Sequence, residues 1–161
     1  MVFDPAAAPR ERERFLGWYQ EQTDWSDANS DVDPSVAADG LQCWYRSMLP
    51  TWPNMQEISD EQIDDPHVTG YTMSQSIIYV DFRWSVAEEA YDAVRRLAIE
   101  NRVGFYDVSG DEGNGEILFP DDTPRPSSGG TWREVSQQLR VNETTPAATS
   151  ARWFDFFRRK K

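Results

Sequence analysis

Between Ser76 and Val108 the chain spells out strand, helix and strand with almost no slack, and that run constrains the fold more than any other feature. Ser76-Ile77-Ile78-Tyr79-Val80-Asp81-Phe82 is β-branched and aromatic nearly throughout, the composition of a strand. Ser85-Val86-Ala87-Glu88 has the spacing of a capping box, in which the serine oxygen accepts from the Glu88 amide and the glutamate reaches back. Ala87, Ala90, Tyr91, Val94, Leu97 and Ala98 then recur at helical spacing as one apolar stripe. After Asn101-Arg102, the run Val103-Gly104-Phe105-Tyr106-Asp107-Val108 is a second strand. Two strands joined by a helix through short links make a βαβ unit, whose crossover is right-handed. Glu116-Ile117-Leu118-Phe119 is a further strand, and the turn from Ser109 to Gly115 joins it antiparallel to the second, its glycines supplying positive-φ positions.

Around this unit the remaining elements fall into place. Val2-Phe3 opens a short strand. Pro9 starts a helix that Phe15, Leu16, Trp18 and Tyr19 carry to about Trp25. Asp33-Pro34 caps and starts a second helix, with Ala37, Leu41, Trp44, Tyr45 and Met48 on one face, ended by Pro50 and Pro53. Gly70 to Gln75 reads as another strand. The predicted fold is α/β (α+β): a single domain with a small mixed sheet of about four or five strands, two N-terminal helices and one crossover helix. A chain of 161 residues is long enough for one proper core. That core domain is expected over 1–122. A basic, aromatic C-terminal extension follows over 123–161, with a linker at 123–130 and short helices over 131–139 and 151–159.

Charge narrows the function. The net charge is −12, from 28 acids and 16 bases. A surface this acidic repels nucleic-acid phosphates and anionic lipid and favours a basic protein partner, so neither nucleic acid nor membrane is expected as a ligand. Eleven acids face a single arginine between Glu21 and Asp65, a net −10, whereas Thr123 to Lys161 carries +5. That asymmetry fits equally a basic tail folded back on the acidic half and a free tail. The aromatic rings of 151–159 need packing partners. Their alternative use is contact with an anionic membrane surface or RNA. One cysteine, Cys43, excludes an intramolecular disulfide. With no basic, apolar leader at Met-Val-Phe-Asp-Pro and no run of spanning length, cytoplasm is the expected compartment.

Catalytic signatures are sparse. Cys43 and His67 are the single members of their types and lack an activating motif, which favours packing over a nucleophile–base pair. They also cannot supply a zinc ligand set. Asp107-Val108-Ser109-Gly110-Asp111 starts like a calcium loop, then departs from it at Glu112 and Leu118, so a hairpin turn is preferred. In the pair Asp31 and Asp33, the second already caps a helix. Gly110, Gly113 and Gly115 are not followed by a phosphate-binding helix. No cofactor or metal is expected. The aromatics Trp44, Tyr45, Tyr91, Phe105 and Phe119 sit at core spacing, whereas Trp25 and Trp52 stand in polar or proline-rich segments. The candidate contact residues are therefore Trp25, Asp27, Trp52, Asp60, Glu61, Asp64, Asp65, Asp111 and Glu112, rings and carboxylates that suit a basic partner. For Trp52 the competing reading is a ring that caps the core.

Several stretches resemble one family. They are Val2-Phe3-Asp4-Pro5 with Ala8-Pro9-Arg10, Phe15-Leu16, Trp18-Tyr19 and Gln22-Thr23-Asp24-Trp25-Ser26, together with Ser76-Ile77-Ile78-Tyr79, Trp84-Ser85, Ala87-Glu88-Glu89-Ala90-Tyr91, Gly104 to Ser109 and Gly115-Glu116-Ile117. Over roughly 1–120 they are similar to small, mostly uncharacterised bacterial proteins often found beside polymorphic-toxin and type VI secretion loci. The resemblance implies an immunity role: a cytoplasmic protein, not an enzyme, that occludes the active site of a cognate toxin with a basic surface. The alternatives are a carboxylate-dependent hydrolase using Asp107, Asp111 or Glu116, and an adaptor or chaperone for a secreted effector.

Overall fold

The computed structural model describes residues 1–24, 33–110, 114–123 and 130–143. Its five strands are β1 (Val2–Phe3), β2 (Gly70–Met73), β3 (Ile77–Asp81), β4 (Gly104–Tyr106) and β5 (Ile117–Leu118). They form one sheet in the order β2-β3-β1-β4-β5. Four α-helices are found among the described residues: α1 (Arg12–Gln22), α2 (Asp39–Met48), α3 (Ala87–Glu100) and α4 (Trp132–Glu143). The expected strand–helix–strand unit is β3-α3-β4. Its two strands do not pair with each other, because β1 lies between them and runs antiparallel to both. All four neighbouring pairs are therefore antiparallel, while β3 and β4 keep the common direction that a crossover imposes.

Alternation along the strands divides the interior in two. Val2, Ile78, Phe105 and Leu118 point to one face and meet Leu41, Trp44 and Met48 of α2, Tyr91 and Val94 of α3, and Trp132 of α4. Phe3, Ile77 and Tyr106 point to the other face and meet Phe15 of α1 and Phe119. Phe3 packs edge-on against Phe15 and Phe119, with ring centroids 5.0 and 5.1 Å away. Gly104, its cross-strand partner, leaves room for that ring: a Cβ there would lie 2.1 Å from it.

Several expected boundaries move, each for a tertiary or capping reason. α1 begins at Arg12 rather than Pro9, because the Glu11 carboxylate accepts from the amides of Glu13 and Arg14. Asp33-Pro34 starts only a single 3-10 turn over Pro34–Val36. Ala37 and Ala38 then turn extended, and the Ala38 amide donates to Gln75 O at 3.0 Å, which breaks the helix until Asp39. The capping box at Ser85 does not form. A 3-10 turn over Trp84–Val86 leads into α3, Ser85 Oγ is buried without a hydrogen-bond partner among the described residues, and Glu88 reaches instead toward α4. At the far end of α3, Arg102 takes φ = 56°, and the amides of Arg102 and Val103 satisfy the carbonyls of Ile99 and Ala98.

The turn after β4 joins two antiparallel strands as expected, with the Asp107 amide donating to Glu116 O at 2.9 Å. Gly110 and Gly115 serve a different purpose, because neither takes a left-handed φ; Gly113 lies outside the described residues. A Cβ on Gly115 would lie 1.7 Å from Asp107 O, and one on Gly110 would lie 2.1 Å from Gly115 Cα, so close backbone approach is what requires them.

The described part of the C-terminal extension packs on the core. Trp132 is buried, stacks near Tyr91 and donates through Nε1 to Asp107 Oδ2 at 3.3 Å. Arg133 and Arg140 face Glu88, so basic charge of α4 meets an acid of α3. The expected helix 131–139 is thus α4, which starts one residue later and ends four residues later. The linker residues 124–129 and the expected helix at 151–159 lie outside the described residues. No helix among the described residues is long and apolar enough to cross a membrane.

Candidate functional site

Where α2 stops, before Pro50, the chain turns back over itself. The amides of Thr51 and Trp52 both donate to Met48 O, at 3.1 and 2.9 Å, and this drops the Trp52 ring into the core. Trp52 is 1% exposed. Its carbonyl accepts from Tyr71 Oη at 2.8 Å, and its ring lies against His67 and Phe82. The expectation of a surface ring at Trp52 is corrected accordingly: the ring serves the core, and a partner cannot reach it as a flat aromatic anchor.

From Asn54 to Thr69 the chain forms one lobe whose two ends are tied together. Met55 donates to Thr69 O and Thr69 to Pro53 O, each at 2.9 Å, making a parallel bridge. Asn54 is buried and donates to Tyr45 Oη. Within the lobe, the Ser59 amide and hydroxyl both meet Gln62 Oε1 at 3.3 Å around a 3-10 turn over Asp60–Gln62. Arg83, just beyond β3, donates to Ile63 O at 2.6 Å and Asp64 O at 3.3 Å. Asp65 Oδ1 accepts from the His67 amide at 2.9 Å. That bond, with the His67 ring and the Arg83 charge behind it, holds the Asp65 carboxyl below the usual range. Inward polar groups thus fix the backbone while Asp60, Glu61, Asp64 and Asp65 all face solvent. The four carboxylates share this lobe with Ile63, which is 43% exposed.

His67 joins the lobe to α3. Its Nδ1 lies 3.2 Å from Asp65 Oδ1 and its Nε2 lies 3.5 Å from Glu89 Oε1. Beside it opens a shallow groove of about 320 Å³ between the end of α2 and the outer face of α3. Trp52, Ala93 and Leu97 line its apolar part, and Ser47 and Thr51 stand on the α2 side. Glu89, Asp92 and Arg96 stand on the α3 side, and Arg96 turns to Glu100 at 3.0 Å.

Two acids of the hydrolase alternative, Glu116 and Asp107, are held by hydrogen bonds, and the third, Asp111, lies outside the described residues. Glu116 accepts from Arg95 through both oxygens, at 2.9 and 3.0 Å, and from Tyr91 Oη at 2.7 Å. Burial alone would raise its pKa, but these donors and the Arg95 charge outweigh it and hold the carboxyl low. Burial pushes Asp107 up, opposed by bonds from the Ser109 amide and the Trp132 indole. Cys43 is exposed on α2, where its sulfur meets Arg46 at 3.4 Å, while His67 engages Asp65 and Glu89. Among the described residues no three of His, Cys, Asp or Glu group to hold a metal ion.

Of the residues singled out from sequence, Asp60, Glu61, Asp64 and Asp65 share the lobe, Trp52 lies buried beneath it, and Trp25, Asp27, Asp111 and Glu112 lie outside the described residues. Sequence reasoning missed Arg83, Glu89 and Asp92. Glu89 and Asp92 are legible as a polar i, i+3 pair on α3, but only the packed α2–α3 arrangement sets them beside the lobe. Trp84, next in the chain to Arg83, is 37% exposed. Comparison with protein-family models, with curated proteins and with solved structures finds no significant match to this chain.

Proposed function

We propose that this chain is a cytoplasmic acidic binding protein, and that its partner is a cognate antibacterial toxin whose active site it occludes. The observation that carries the reading is the 54–69 lobe: a backbone braced from within by Arg83, His67 and the Asn54–Thr69 bridge, displaying four outward carboxylates around Ile63. A pre-formed loop loses little entropy on binding, and its charges speed the encounter with a basic surface. The resemblance to proteins beside toxin loci supplies the partner class. The hydrolase alternative draws less support, because Glu116 is locked by three hydrogen bonds and Asp107 by two.

The test is co-purification with the effector encoded beside the gene, together with survival of the host when that effector is delivered. A stable complex and toxin sensitivity on gene deletion are expected. A host no more sensitive after deletion defeats the immunity reading, and a complex that forms without neutralisation transfers the protein to the adaptor class.

A further inference from the structure

We infer that the groove between α2 and α3 receives one arginine or lysine side chain of the protein partner, an inference that rests on the binding role proposed above. A space of about 320 Å³ is at the lower limit of small-molecule sites, and it is open along one side, so it suits a single long side chain. Its lining divides as such a side chain does. Half-buried Ala93, with the edge of Leu97, offers apolar surface for the methylene stem, over a floor closed by the buried Trp52. Glu89 and Asp92, both exposed on one face of α3, stand where the charged head would emerge. The C-terminal end of α2 adds its partial negative charge from the opposite wall, next to Ser47 and Thr51. The one cation in the lining, Arg96, is paired with Glu100. Through His67 and Glu89 the groove is continuous with the acidic lobe, so a side chain seated there would anchor a surface steered in by Asp60, Glu61 and Asp64. A buried anchor ringed by complementary charge is how a few residues carry most of an interface's affinity.

The probe is a short arginine peptide titrated into the 15N-labelled full chain, with the citrulline peptide of the same length as the neutral control. Millimolar, salt-sensitive binding is expected for arginine alone, with amide shifts at Ser47, Thr51, Ala93 and Leu97. Glu89→Gln and Asp92→Asn should each weaken it by up to about fivefold, the range of exposed ion pairs, and the double variant by more. Shifts confined to residues 59–67 overturn the groove while leaving the acidic lobe as the contact surface. Equal binding of citrulline, unchanged affinity in the double variant, or no shifts at all also overturns it. None of these outcomes decides whether a toxin is the partner, which the co-purification answers separately.

Discussion

Glu116 shows how one residue settles between two roles. In sequence it is an acid at the edge of a glycine-rich turn, available in principle for chemistry. In the fold it is half-buried and bound by Arg95 and Tyr91, so it serves as a brace between α3 and β5. Its carboxyl titrates below the ordinary glutamate value of 4.5. A depressed pKa contributes stability that is fully present above 4.5 and is lost as the pH falls through the folded-state value. Glu116→Gln should therefore cost about 2 kcal/mol at neutral pH, the scale of charge-assisted hydrogen bonds, and progressively less in acid. Urea titrations of both proteins across that range read the convergence, and a gap that stays constant with pH refutes the brace. Trp52 shows the reverse case. Its proline-rich neighbours suggested the surface, yet backbone bonds to Met48 turn its ring inward. The competing expectation, that it caps the core, is the one the packing supports.

At the scale of elements, local signals placed every strand and helix of the described core and misplaced several of their ends. The apolar stripe of α3 is buried as its spacing required, at Ala90, Tyr91, Val94, Leu97 and Ala98. The capping box written at Ser85 gives way because Glu88 meets Arg133 and Arg140 of α4, far along the chain, and local bonds yield to those contacts. β1 has two residues, yet it is the central strand, and its position depends on Gly104 allowing Phe3 to lie across β4. Gly104→Ala should destabilise by about 1–3 kcal/mol through overpacking against a ring that Phe15 and Phe119 hold in place. Phe3→Leu in the same chain should recover part of the loss, and a denaturation double-mutant cycle measures it. Strict additivity of the two changes would show that the ring is not what Gly104 accommodates.

For the whole molecule, the acidic excess and the stability are separable. Asp60, Glu61 and Asp64 are exposed and hold no part of the core, so replacing them by Asn, Gln and Asn should shift the unfolding free energy by no more than about 0.5 kcal/mol each. The same variant should slow association with a basic partner and flatten its salt dependence, read by stopped-flow at two ionic strengths. Unchanged kinetics would remove the lobe from the contact surface. By itself the sequence determined the class of fold, one α+β domain with an antiparallel turn after β4, because hydrophobic period and strand composition are local properties of the chain. It also determined the acid-rich surface, since charge is fixed by composition. Only the tertiary structure decided that β1 divides the crossover, that Trp52 is buried, and that Glu89 and Asp92 border a groove beside the lobe. Those features arise from contacts between residues far apart in the chain, and such contacts leave no period or spacing in the sequence that produces them.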